Sequence, residues 1–155
     1  MHAPVSTATT ADVDVLVALM HEFYAEADFV LDRYWAAASF ERLLSEPELG
    51  GVWLARYGGE LAGYVVLTVR YTMEFGGLSG YVDDFFVKPE FRRRGLGGML
   101  LDALLADSRK RNCKSVQVEA AASNVSALAA YARVGLARVN DGRVLFRRSL
   151  TDLRA

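Results

Sequence analysis

The sequence predicts a mixed α/β domain, α+β in its layering, with a central mixed sheet of about six to seven strands flanked by about four helices. Three observations carry this. Apolar runs rich in Val, Leu, Tyr and Phe, bounded by glycine pairs, recur through the middle of the chain. Apolar residues at three- and four-residue spacing mark helices before and after those runs. With 155 residues and 52% hydrophobic content, residues 1–155 have enough chain to close a core as one domain.

Each element follows from its own pattern. A short strand is expected near Val5. Thr10 and Asp12 then precede a helix in which Val13, Leu16, Val17, Met20 and Phe23 share a face. A second helix covers Tyr34 to Leu44 and ends before Pro47 and the Gly50-Gly51 pair. Val52 to Tyr57 and Leu61 to Tyr71 read as strands joined through Gly58-Gly59, which supplies the positive φ angles of a tight hairpin. After Gly76-Gly77 a third long strand covers Tyr81 to Val87. Leu96, Met99, Leu100, Ala103 and Leu104 form the apolar face of a helix reaching about Asn112. Val116 to Ala120 is a short strand, and a helix from Asn124 to about Val134 follows, closed by Gly135. Val139 to Leu150 is expected to hold a last hairpin turning at Asp141-Gly142.

Composition excludes several functions. Eighteen Lys and Arg against nineteen Asp and Glu give a net charge of −1, too little field to favour nucleic acid or anionic lipid. Cys113 is the single cysteine, so no intrachain disulfide forms and a reducing cytoplasm is compatible. Two histidines and one cysteine do not make a familiar zinc site, and no metal is expected. The start of the chain lacks the apolar run of a signal peptide, and no segment approaches the ~20 apolar residues of a membrane span. The expectation is a cytoplasmic protein.

The most informative stretch is Val87-Lys88-Pro89-Glu90-Phe91-Arg92-Arg93-Arg94-Gly95-Leu96-Gly97-Gly98. It joins a strand to an amphipathic helix through three arginines and three glycines. A helix start leaves N–H groups without intrahelical partners at the positive end of the dipole. Glycines let a phosphate approach that backbone, and arginine adds forked donors. A P-loop would need Lys-Ser or Lys-Thr after its last glycine, where Gly98-Met99 stands. A dinucleotide fingerprint would want a glycine at Leu100. Downstream, Asn124 opens a helix in which Ala127 and Tyr131 follow at three and seven residues, before Gly135.

The spacing Arg92-x-x-Gly95-x-Gly97 matches the pyrophosphate-binding motif of the GNAT acetyltransferase superfamily, and the Asn124, Ala127, Tyr131, Gly135 series resembles its second motif. The resemblance covers most of the chain and is strongest from Tyr81 to Gly135. Tyr81-Val82-Asp83-Asp84-Phe85-Phe86-Val87 and the stretches around Arg111 to Ser115 and Gly142 to Phe146 are similar to the diamine and polyamine (spermidine/spermine) acetyltransferases. Departures from that group are Asp83 for a glutamate, Ser123 for a tryptophan, Ala130 for an aromatic residue, and Arg93 with Arg94 in the loop.

The resemblance implies an enzyme using acetyl-CoA. Phe86, Val87 and Lys88 would flank the acetyl and pantetheine arm. Arg92, Arg93, Arg94, Gly95, Leu96, Gly97 and Gly98 would hold the pyrophosphate, with Asn124 along the arm and Tyr131 at the sulfur. An amine attacks only when deprotonated, so Asp83 or Asp84 would accept a proton, directly or through water, with Asp83 the first choice. Strand neighbours point to opposite faces, so one of the two is expected to face the pocket. A strand-end N–H near Val87 is the candidate for the developing oxyanion, and Tyr131 would protonate the departing thiolate. Cys113, near a helix C-terminus, is not read as a nucleophile. Glu22, Glu26, Asp28 and Asp32, with Asp83 and Asp84, favour a small cationic amine acceptor: a polyamine, diamine or diamino acid. Tyr24 and Glu26 would help to bind it. Other acceptors, a protein terminus or lysine or an aminoglycoside, and a non-catalytic acyl-CoA-binding module are the alternatives. A homodimer through the late strands is expected.

Overall fold

The computed structural model describes residues 4–151. Five strands form one sheet in the order β1 (Val5–Thr7), β2 (Gly50–Tyr57), β3 (Glu60–Thr72), β4 (Gly77–Val87) and β5 (Val116–Gln117). Neighbours are antiparallel except β4 and β5, which run parallel. Helices α1 (Val13–Glu26) and α2 (Arg33–Ser45) precede β2, α3 (Leu96–Lys110) joins β4 to β5, and α4 (Val125–Arg133) follows β5.

The local signals explain these boundaries. Asp32 caps α2 by accepting from the N–H groups of Tyr34 and Trp35. Gly58 and Gly59, both at positive φ, make the two-residue β2–β3 turn. Gly135, at φ 88°, closes α4, and the Leu136 N–H returns to the Tyr131 carbonyl. At the far end of α3, Arg111 donates to the carbonyls of Pro47 and Gly50 and so ties that helix to the start of β2.

Two cores sandwich the sheet. On one face Leu16, Met20, Ala36 and Phe40 of α1 and α2 meet Val52, Leu54, Tyr64, Val66 and Phe86. On the other, Leu96, Leu100, Leu101 and Leu104 of α3, with Ala127 and Tyr131 of α4, meet Trp53, Ala55, Val65, Leu67 and Val82. Helix α3 begins with Gly97 and Gly98, each costing about 1 kcal/mol against alanine. Burying four leucines at about 2 kcal/mol each outweighs that cost, so packing rather than propensity holds the glycine-rich start helical.

One irregularity shapes β4. Val66 pairs with Asp84 and Leu67 with Val82, so Asp83 is an extra residue bulged out of the ladder. The bulge resets the pleat. Val82 faces α3 and α4, whereas Asp84 and Phe86 face α1 and α2. Beside it, β4 pairs with β5 only at Gly80–Val116 and Tyr81–Gln117, and beyond these two pairs the parallel ladder ends.

The architecture is the expected mixed sheet with helices on both faces, but the strand count is five among the described residues, not six to seven. The hairpin expected at Val139–Leu150 is the difference: this segment carries no strand. With two paired residues, β5 offers too short an edge to template another strand. Val139, Val144, Phe146 and Leu150 consequently lie exposed. Arg143 instead anchors the segment by reaching Glu74 on the β3–β4 turn and Asp141 beside it.

Gly63 lies where β3 passes closest to β4: a Cβ there would sit 2.3 Å from the Phe86 carbonyl oxygen. Backbone cannot yield without opening the ladder. Gly63→Ala should therefore destabilise the fold by about 3 kcal/mol, read from the urea unfolding midpoint. A shift under about 1 kcal/mol would show that the strands part more easily than this contact implies.

Candidate functional site

The candidate site lies along the second half of β4, where pairing to β5 has ended. The Lys88 N–H donates to the Ala62 carbonyl at 2.8 Å. Antiparallel pairs alternate, so the preceding pair, Gly63 with Val87, is not hydrogen-bonded and the Val87 N–H and C=O point away from β3. The Val87 carbonyl accordingly accepts from Arg92 Nε at 2.8 Å. The Val87 N–H is directed to the side β5 has left.

The β4–α3 loop follows. Pro89–Phe91 form a 3-10 turn, then Arg93 at φ 60° and Gly95 at φ 81° alternate with ordinary conformations before α3 starts. Alternation of this kind gathers successive N–H groups into an anion-binding concavity. No side chain caps α3 at its N-terminus. A Cβ on Gly95 or Gly98 would meet open space, whereas one on Gly97 would press on Phe85 at 3.0 Å. Gly97 is thus needed to seat the helix start on β4, and the other two leave the concavity uncrowded.

The three arginines have different partners. Arg92 turns back: besides Val87 it binds Glu26 of α1 at 2.8 Å and lies over the Phe86 ring. Lys88 similarly meets Glu22 at 3.3 Å. Arg94 stacks on Tyr57, 4.7 Å from the ring centre, and also donates to its hydroxyl. Arg93 is exposed at the tip. The side chains of Lys88 and Arg92 thus latch α1 to the loop, while Arg93 and Arg94 lie at its outer side. Leu96 is buried in the α3–α4 core, so it brings its backbone N–H to the concavity rather than its side chain.

On the α3–α4 side of the sheet, Tyr131 is buried with its ring 5.5 Å from Phe85. Burial pushes its hydroxyl up to about 12, so it is protonated at neutral pH. Asn124 caps α4, its side-chain oxygen accepting from the Ala127 N–H at 3.2 Å. Burial raises the Cys113 thiol, which keeps it protonated.

On the α1–α2 side, Asp84 is buried and accepts from the Tyr64 hydroxyl at 2.9 Å and from Tyr24 at 3.4 Å. Burial, and then the Asp84 charge, hold the Tyr64 hydroxyl well above its ordinary value, which fixes it as donor. Phe23, Tyr24, Ala27, Phe29 and Asp84 line an open cavity of about 280 Å³. Tyr24 and Asp84 therefore come together. Glu26 pairs with Arg92 instead, and Asp83 sits at the bulge with its carboxyl pushed upward by partial burial. Sequence reasoning missed Tyr64 and Phe23. A tyrosine amid Ala62, Val65, Val66 and Leu67 was the available signal, since a buried hydroxyl in an apolar strand needs a partner.

The chain resembles known proteins in sequence and in fold. A profile of the family described as "Acetyltransferase (GNAT) family" matches residues 16–136. The chain is 36% identical over 125 residues to the N-alpha-acetyltransferase RimI of Mycobacterium tuberculosis, covering 80% of this chain and 75% of that one. Among solved structures, an integron cassette protein from the mobile metagenome of Cole Harbour Salt Marsh is 40% identical. It superposes with a TM-score of 0.85 over 96% of this chain and 91% of its own. The aminoglycoside N-acetyltransferase AAC(6')-Iy in complex with CoA shares the fold at 17% identity, with a TM-score of 0.81 over 97% and 96% of the two chains.

The Asp83 carboxyl gives a pH signature. A carboxyl raised in the folded state favours folding below its unfolded pKa, and that contribution is lost as pH climbs through the folded value. Asp83→Asn does not lose it. The variant's unfolding midpoint should therefore gain on the parent protein's as pH rises from about 3.5 through the acid range, then hold level. A difference that does not change with pH would show Asp83 to be fully solvated.

Proposed function

The chain belongs to the GNAT acetyltransferase family, and we propose that this acetyl-CoA-dependent N-acetyltransferase acylates the primary amine of a small cationic acceptor held beside β4. The observation that carries the reading is the position of Asp84. Its carboxylate, braced by two tyrosine hydroxyls, borders an aromatic cavity on the same strand whose end leads into the anion-binding loop.

Acetyl-CoA, when bound, supplies the acetyl thioester. The residues suit it: the N–H groups of Gly95, Leu96, Gly97 and Gly98 for the pyrophosphate, with Arg93 and Arg94 adding charge at the outer side. Phe86, Val87 and Lys88 would flank the arm through their backbone, and Asn124 would meet it further along. The Val87 N–H, directed to the open side of β4, is the donor for charge developing on the carbonyl oxygen. Asp83 takes the proton that an ammonium must lose before attack, and its partial burial raises its basicity in the useful direction. Tyr131 keeps its proton at neutral pH and delivers it to the leaving sulfur. Holding amine and thioester together supplies much of the remaining rate. Exposed Val144, Leu145 and Phe146 support the expectation of a homodimer.

A protein N-terminus is the second reading, favoured by the likeness to RimI. Thiol release from acetyl-CoA against small amines, an aminoglycoside and short peptides separates the two. Turnover on small amines is expected; turnover on peptides alone would replace the acceptor while keeping the chemistry. Tyr131→Phe should lower kcat roughly 100-fold with acetyl-CoA affinity nearly unchanged. An unaltered kcat would remove Tyr131 from the mechanism.

A further inference from the structure

The peptide joining Val87 to Lys88 is held from both ends. Its N–H donates to the Ala62 carbonyl of β3 at 2.8 Å, and its carbonyl accepts from Arg92 Nε at 2.8 Å. The same guanidinium donates through a terminal nitrogen to Glu26 at 2.8 Å. It also lies over the Phe86 ring, which stacks on Phe23 of α1 at 5.4 Å. Helix α1 thus sets the direction of a peptide at the end of β4 through one side chain. Arginine suits this task, because its fork carries donors in fixed directions and can meet a carbonyl and a carboxylate together. The Arg92-x-x-Gly95-x-Gly97 spacing points Arg92 at phosphate, yet two of its nitrogens are engaged within the chain.

We infer that Glu26 and Arg92 are positioning residues: the pair aims the backbone at Val87 so that its N–H meets the thioester carbonyl of acetyl-CoA, and Arg92 does not serve as a phosphate ligand. The inference rests on the reading of the Val87 N–H given above. A donor stabilises developing negative charge only within a narrow range of distance and direction. A small turn of the strand end therefore lowers the rate while the loop that follows keeps its grip on the pyrophosphate. The two side chains are 34% and 42% exposed, so the pair by itself adds little to the stability of the fold. Its consequence is the direction of one peptide.

The test uses acetyl-CoA isotopically labelled at its thioester carbonyl carbon, bound to saturation and read by carbon NMR, with CoA affinity measured separately by calorimetry. A hydrogen bond to the carbonyl oxygen moves the resonance downfield of free acetyl-CoA, and the parent protein should show that displacement. Arg92→Lys keeps the charge, but its single ammonium cannot span both partners, and Glu26→Ala removes the anchor. In both variants the resonance should return toward the free value, with CoA dissociation constants within about threefold of the parent's. Glu26→Gln, whose amide oxygen still accepts from Arg92, should restore most of the displacement. With any amine that the thiol-release panel identifies, Arg92→Lys should lower kcat roughly tenfold at unchanged acetyl-CoA affinity. A resonance still displaced in both saturated variants would overturn the inference and leave the Val87 donor standing, whether or not the urea midpoint falls. CoA bound roughly tenfold more tightly by Glu26→Ala, or roughly tenfold more weakly by Arg92→Lys, would also overturn it, by making Arg92 a phosphate ligand. A parent resonance at the free value would remove the donor, and the inference with it. Because the carbonyl readout needs no amine, failure of the acceptor reading leaves it intact.

Discussion

The separation of β4 from β5 is the constraint on which the other features depend. A parallel pair that continued past Tyr81 would consume the outward N–H and C=O groups of β4 in a ladder. Because pairing stops after two residues, those groups remain available along the stretch that ends at Val87. The bulge at Asp83 falls just past the last pair and resets the pleat. Asp84 and Phe86 thereby turn toward α1, and Phe85 and Val87 toward α3 and α4. One strand thus presents chemically different surfaces to two compartments, an aromatic cavity on one side and the tyrosine of α4 on the other.

The loop after β4 is held by a similarly small set of contacts. From the sequence Lys88 is expected beside the pantetheine arm and Arg92 at the pyrophosphate, yet both side chains reach back to α1. Exposed pairs of this kind contribute little stability, on the order of 0.2–1 kcal/mol. Their effect is positional: they fix α1, and with it the wall of the aromatic cavity, relative to the loop. Gly97 does the same from the other side by letting α3 start close against Phe85. The backbone N–H groups of the loop are placed by φ angles rather than by flexible side chains.

Asp84 shows how burial and function are reconciled. A buried carboxylate is costly unless hydrogen-bonded, and the Tyr64 and Tyr24 hydroxyls both donate to it. Tyr64 is itself fully buried, packed edge-on against Phe40 and Phe86. The charge is therefore fixed in direction by core packing.

The sequence by itself determined the elements, their order and the loop motif, because these rest on local signals: the 3.6- and 2-residue periods, the Gly58-Gly59 turn, the Asn124 cap and the Arg92-x-x-Gly95-x-Gly97 spacing. It overestimated the sheet at Val139–Leu150, since a strand pattern needs a partner edge and β5 provides only two residues. Tertiary structure alone decided which aspartate meets the cavity, because one bulged residue exchanges the faces of everything beyond it and no local pattern marks a bulge. It also decided that Glu26 goes to Arg92, and that Tyr64, twenty residues away along the chain, braces Asp84. Such pairings depend on which elements meet in space, a property of the packed sheet and helices that sequence spacing does not encode.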